Sequence, residues 1–236
     1  MSIRAMLQST LLLSAAAVTN ASGDELKPFE ASYAWMWHGM TVAISSLKLE
    51  RQHDLWVYAS HSEPRGLGRM FSQRPVQTST MRVTGSEVEP LSYKADDGTS
   101  ATRQDADVIF DWEHDRASGV YENVKVDMPL QKGIQDDLSI QIALMASLLA
   151  GRVPESFQLI DKNTLREYRY SRESQETIAT ALGSLETVVF KSQKAGSPRV
   201  TRFWVAPSRG YIPLRVEQKK GDEVQWTMEI RSLKRD

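Results

Sequence analysis

The chain has 236 residues, of which 29 are Lys or Arg and 30 are Asp or Glu, and 41% are hydrophobic. This near-neutral balance excludes the basic excess of a nucleic-acid-binding surface, and the apolar fraction excludes a disordered chain. There is no cysteine, so disulfide and thiolate chemistry are excluded as well.

Residues 1–21 read as a secretory signal peptide. Arg4 gives the positive start, residues 11–18 the apolar centre, and Thr19-Asn20-Ala21 the small residues of a cleavage site. The apolar stretch is shorter than the about 20 residues that span a bilayer. No cysteine follows it, so the expectation is a periplasmic protein, exported without a lipid anchor and not membrane-spanning. The mature chain, residues 22–236, has the length of one β-rich domain.

Period-two alternation runs through that domain. Phe29, Ala31, Tyr33, Trp35 and Trp37 share one face of a strand, His38-Gly39 turns the chain, and Thr41–Arg51 returns. In the return, Val42 and Ile44 are out of phase with Leu47 and Leu49, which predicts a bulge near Ser45-Ser46. Leu55–Ser60, Val76–Val83, Val88–Ala95, Arg103–Glu113 and Val120–Val126 read as further strands. Asp136-Asp137 then precede an apolar run from Leu138 to Ala150, closed by Gly151 and Pro154. Acidic residues at the start and glycine past the end mark a helix. Apolar on nearly every side, that helix belongs in a core. Leu185–Phe190, Val200–Ala206, Ile212–Val216 and Glu223–Arg231 follow as strands. Pro213 lacks an amide hydrogen, so its strand lies at an edge or is bulged there. The expected fold is mainly β: a curved antiparallel sheet or partly open barrel of about 14 strands, wrapping one central buried α-helix.

Chemistry is harder to find. Asp105, Asp107, Asp111 and Glu113 share one strand face, opposite Ala106, Val108, Phe110 and Trp112. Aligned carboxylates suit Ca²⁺ or an acid/base pair for glycoside hydrolysis. Alternation alone also explains them, as the wet side of a half-buried strand. The four histidines lack zinc-ligand spacing, and no Gly-x-Ser-x-Gly elbow is present. Neither catalytic residue, metal ligand nor cofactor site is therefore predicted. Arg65, Arg69 and Arg74 surround a loop that suits an anionic headgroup or simply water. The aromatics Trp35, Trp37, Phe71, Trp112, Trp204 and Tyr211 are the candidate ligand-binding residues, since aromatics on a concave sheet receive acyl chains or sugars. Core packing is the competing reading.

Several segments resemble one family of exported bacterial proteins. They are Phe29-Glu30-Ala31-Ser32-Tyr33, Phe110-Asp111-Trp112, Gln135-Asp136-Asp137-Leu138-Ser139, Trp204-Val205-Ala206-Pro207, and Gly210-Tyr211-Ile212-Pro213-Leu214-Arg215-Val216. In that order they look like domain of unknown function 3108 across nearly the whole mature chain. The resemblance implies an antiparallel β-rich envelope protein and brings no catalytic residues. The expected architecture is also similar to the half-barrels of periplasmic lipoprotein carriers, an analogy of fold only. The expected function is a non-enzymatic envelope protein, whose curved sheet binds an apolar or amphipathic component or a protein partner. Lipid, glycan and envelope protein are the partner classes. The alternative is a hydrolase of an envelope polymer, acting through the carboxylates near Asp111.

Overall fold

The computed structural model describes residues 25–70, 74–101 and 104–235. The expected signal peptide and Phe71 lie outside these residues. Fifteen strands and one helix follow in chain order: β1 (Phe29–Trp37), β2 (Met40–Gln52), β3 (Leu55–Pro64), β4 (Val76–Thr84), β5 (Glu87–Asp96), β6 (Ala106–Asp111), β7 (Arg116–Tyr121), β8 (Val124–Pro129), β9 (Ile134–Gln135), α1 (Ser139–Leu149), β10 (Ser156–Asp161), β11 (Thr164–Thr180), β12 (Gly183–Lys194), β13 (Arg199–Ala206), β14 (Ile212–Lys220) and β15 (Glu223–Arg235). All fifteen strands belong to one curved open sheet ordered β8-β7-β6-β5-β4-β3-β2-β1-β15-β14-β13-β12-β11-β10-β9. Pairing is antiparallel except between β9 and β10.

The mainly β class and the central helix match the sequence reading, and several details differ. The segment expected as Val120–Val126 is two strands, because Glu122 and Asn123 take φ of 48° and 63° and turn the chain. Of the segment expected as Arg103–Glu113, Arg103 lies outside the described residues, and residues 104–105 and Trp112-Glu113 lie outside β6. The β2 bulge falls at Val42 rather than at Ser45-Ser46, since Trp35 pairs with Ala43 and Met36 with Thr41. Ser45 thereby joins Leu47 and Leu49 on the buried face, where its hydroxyl accepts from the Trp35 indole at 2.7 Å. Pro213 sits in a central strand, and the irregularity there falls at Leu214. The bulge alternative holds for Pro213 and the edge alternative does not.

The inner face packs on α1. Tyr33, Leu49, Tyr58, Met81, Val108 and Ile230 form one core with Ile142 and Met145. On the helix's other side, Leu144 and Leu148 meet Val188, Phe190 and Val205. The helix thus fills the concavity.

Burying a helix end requires partners for its first amides. Asp136 supplies them. Its carboxylate accepts from the Leu138 and Ser139 amides at 2.8 and 2.7 Å, and from the Ser79 hydroxyl of β4 at 2.6 Å. Ser139 returns the bond, accepting from the Asp136 amide at 2.8 Å. At the far end the Gly151 and Arg152 amides bond back to Leu148 and Ser147, with Gly151 at φ 71°.

Burial pushes the Asp136 carboxyl up to about 6, against the bonds from Ser79, Ser139 and Leu138 that draw it down. A folded value above the unfolded one, about 3.9, means that protonation favours the fold. The group's contribution is full below about 4 and is lost as pH rises through about 6. Asp136→Asn keeps the shape and removes the charge. Urea unfolding is expected to show the variant gaining on the parent by about 1–2 kcal/mol between about pH 5 and pH 7.5. Parallel stability curves for the two proteins would contradict this assignment.

Candidate functional site

One end of the sheet gathers exposed apolar side chains. The β1–β2 turn is tight because His38 and Gly39 take φ of 48° and 75°. Trp37 and Met40 flank the turn as a paired couple, 43% and 47% exposed. The Trp37 ring meets the His38 imidazole edge-on at 4.5 Å. One step inward the Trp35 and Trp226 rings contact at 5.0 Å. Beside β2 runs the turn Gly66–Met70, held by an Arg65 amide bond to the Val42 carbonyl at 2.7 Å. Only glycine permits this approach at position 68, where a Cβ would lie 2.0 Å from the Val42 oxygen. Leu67 on that turn is 49% exposed. Across Trp37, a bulge at Gln225 reverses the parity of β15, and Val224 faces outward at 38% exposure. Among the described residues eight large apolar side chains are exposed, and four of them, Trp37, Met40, Leu67 and Val224, belong to this rim. An outer recess of about 540 Å³ adjoins it, walled by Met36, His38, Val224, Arg215, Glu217 and Glu229.

The predicted aromatics do not share one surface. In antiparallel register, side chains directly opposite lie on the same face. Trp35 lies in a row with Met228, Val216 and Phe203, whereas Trp204 lies in the alternate row with Arg215 and Glu229. Trp35 and Trp204 are therefore on opposite faces. Trp204 donates to Glu176 at 3.0 Å, and the Arg215 guanidinium sits 5.8 Å from its ring centre. Trp112 follows β6 and donates to the Pro90 carbonyl at 2.6 Å. Tyr211, at φ 60°, packs against both parts of the core. The structure thus brings Trp35 and Trp37 to the rim and leaves Trp112, Trp204 and Tyr211 elsewhere.

The carboxylates near Asp111 face water and serve the turns around them. Asp107 is exposed and lies 3.4 Å from Lys94. Asp111 accepts from the His114 ring at 2.8 Å and from two turn amides, bonds that hold its carboxyl below the usual range. Asp105 accepts from the Asp97 amide at 2.9 Å. Asp96, Asp97 and Asp105 lie close enough to share a cation, as exposed acidic turns commonly do.

A second constellation lies where the two ends of the sheet meet. Four residues, 130–133, separate β8 at one edge from β9 at the other, a span of at most about 18 Å. Side chains bridge the gap. Asn163 accepts from the Asp127 amide at 2.8 Å, and Lys162 pairs with Glu122 at 3.0 Å. Beside this seam Asp137 accepts through Oδ2 from the hydroxyls of Tyr93 and Tyr121. Protein crowds its carboxyl group and burial raises its pKa, yet the residue remains open to water. The sequence reading used Asp136 and Asp137 as a helix start and as part of a family resemblance, and passed over both tyrosines. Their inward parity on β5 and β7 was the available signal, but not which carboxylate they would meet.

The chain belongs to the family of proteins of unknown function DUF3108, whose model matches residues 29–225. No curated protein matches it significantly. Its fold is similar to that of a β-barrel-like protein of domain of unknown function DUF1849 from Brucella abortus. That match has a TM-score of 0.52 and 13% identity, and covers 89% of this chain and 98% of the other. A protein of Bacteroides fragilis with a YmcC-like fold matches at TM-score 0.38 and 12% identity, over 89% and 96% of the two chains.

The seam predicts a local effect. Asn163→Ala leaves the Asp127 amide without its acceptor, and amide hydrogen exchange is expected to speed up about fivefold at that position, with global stability nearly unchanged. Unaltered exchange at Asp127 would show that the bond does not hold the seam.

Proposed function

We propose that this DUF3108 protein is a non-enzymatic binding protein of the periplasm that meets an apolar or amphipathic envelope component at the rim formed by Trp35, Trp37, Met40 and Trp226. The observation that carries the reading is the exposure of Trp37 and Met40 at the tip of a rigid hairpin. A tight turn presents two large apolar groups at little entropic cost, with the Trp35–Trp226 pair as support. Tryptophan at such a tip suits the boundary between headgroups and acyl chains, where its ring prefers to sit. Helix α1 occupies the concavity, so this reading places the contact on the rim and not inside the sheet. The periplasmic location rests on residues 1–21 as a signal peptide. The alternative hydrolase reading finds less support: Asp111 is held in its charged form by His114, and its neighbours serve turns. No helix of the described chain is long and apolar enough to cross a membrane.

Vesicle flotation with phosphatidylethanolamine and phosphatidylglycerol tests the proposal. The parent protein is expected to float with the vesicles. Trp37→Ser with Met40→Ser removes about 3 kcal/mol of apolar transfer, which lowers partitioning about 100-fold. Both side chains are exposed, so the fold is retained and circular dichroism should be unchanged. A parent that stays with the soluble fraction, or a double variant that floats as well, would overturn the reading.

A further inference from the structure

A second recess lies at the other end of the sheet from the rim, where β2 leads away from Met40 to the turn at His53. It has a volume of about 460 Å³ and opens between the C-terminal end of α1 and the sheet wall. That volume is in the range of about 300–1,000 Å³ typical of small-ligand sites. Leu26, Val83 and Leu149 give it apolar surface, and Trp56 lines it from β3. Trp56 is 9% exposed, and its indole N–H has no partner among the described residues, yet the group is not sealed in the core. A buried donor normally finds an acceptor, and here the open space from which one can come is the recess. Arg51 also lines it and stands directly opposite Trp56 across β2 and β3, so the two side chains share a face. The Arg51 Nε donates to the His53 carbonyl at 3.2 Å, which steadies the guanidinium and leaves its outer N–H groups open. Asp54 and Glu25 bring acceptors to the same mouth, and neither meets a basic group among the described residues.

We infer that this recess binds a neutral saccharide carrying N-acetyl groups, of disaccharide size. Unpaired donors and unpaired acceptors stand together there, and that combination selects the ligand class. An anion would meet Arg51 but be repelled by two carboxylates. A cation would meet the carboxylates and leave the indole N–H unanswered, since that group donates only. An acyl chain would cover the apolar side chains and strand the polar ones. A sugar hydroxyl both donates and accepts, so neighbouring hydroxyls can answer Trp56, Arg51 and Asp54 at once. The methyl of an acetamido group then covers Leu26, Val83 and Leu149, which hydroxyls alone would leave without apolar contact.

Titration followed by the Trp56 indole N–H NMR signal tests this, the signal being identified by its loss in Trp56→Phe. N,N′-diacetylchitobiose is the probe, with maltose and decylphosphocholine (kept below micelle formation) as comparisons. The signal is expected to shift saturably with N,N′-diacetylchitobiose, at least tenfold more weakly with maltose, and not with decylphosphocholine. Asp54→Ala removes an exposed carboxylate that holds no other group among the described residues, so the fold is retained. It should weaken N,N′-diacetylchitobiose at least fivefold, whereas Asp222→Ala, in the turn at the rim end, should change it less than twofold. Absence of a saturable shift, equal binding of maltose, a response to decylphosphocholine instead, or equal losses in the two variants would overturn the assignment. The rim lies at the opposite end of β2, so vesicle binding and saccharide binding stand or fall separately.

Discussion

The fold turns on one buried carboxylate. An apolar helix can fill the hollow of a curved sheet only if its first amides find partners there, because unpaired backbone donors in an apolar interior are costly. Asp136 satisfies the Leu138 and Ser139 amides and ties them to Ser79 on the sheet wall. It does so as a charge taken from water, which is why burial raises its pKa. The same residue thus orients α1, fixes it against β4, and allows the inner face of the sheet to be almost wholly apolar. With its C-terminal end closed by the Gly151 turn, the helix offers the interior little but side chains.

A sheet wrapped around such a plug still has two edges. Here the seam joins without a continuous backbone ladder. Asn163 takes the outward amide of Asp127, Lys162 meets Glu122, and Pro129 ends β8 without an amide hydrogen to offer. These devices blunt an edge that would otherwise invite another strand. They also leave a gap spanned by side chains only, and Asp137 stands beside it with its tyrosines. The ends of the sheet meet where the helix begins, which is how a carboxylate at a helix start comes to be crowded by protein and still wet.

Much of this architecture was legible because one physical pattern produces it. Strands with one dry and one wet face must alternate, and Phe29 to Trp37 do. A helix dry on every side must be apolar all round and short of polar stripes, as α1 is. Legibility failed where a different constraint acted. Strand β11 runs from Thr164 to Thr180 with only Ile178 buried. Both of its faces are largely polar, so period two left no mark. The Glu122-Asn123 turn depends on two positive φ angles, and neither glycine nor proline announced it. The tyrosines of the seam were out of reach for another reason. Tyr93 lies 44 residues from Asp137 and Tyr121 lies 16, and only the curvature of the whole sheet brings them together.

The rim shows why candidate function and failed periodicity coincide. On β2 the extra residue is Val42, and on β15 it is Gln225. Each bulge reverses side-chain parity: on β15 this turns Val224 off the packed face, whereas on β2 it sets Met40 opposite Trp37, in the row of Trp35 and Tyr33. Before the bulges, the tilted rings of Trp35 and Trp226 meet and Ser45 turns inward to meet the indole. Beyond them, Val224 faces water on the outer side, while Trp37 at the end of β1 and Met40 opposite it have outrun the helix that would cover them. A strictly regular sheet would have kept Val224 in phase with Met228 and Ile230, on the packed face. The β15 bulge gives up that burial and adds Val224 to the exposed apolar rim. The sequence of β15 alternates without a break from Glu223 to Arg231 and would set Val224 on one face with Trp226, Met228 and Ile230, so this bulge is legible only in the strand register.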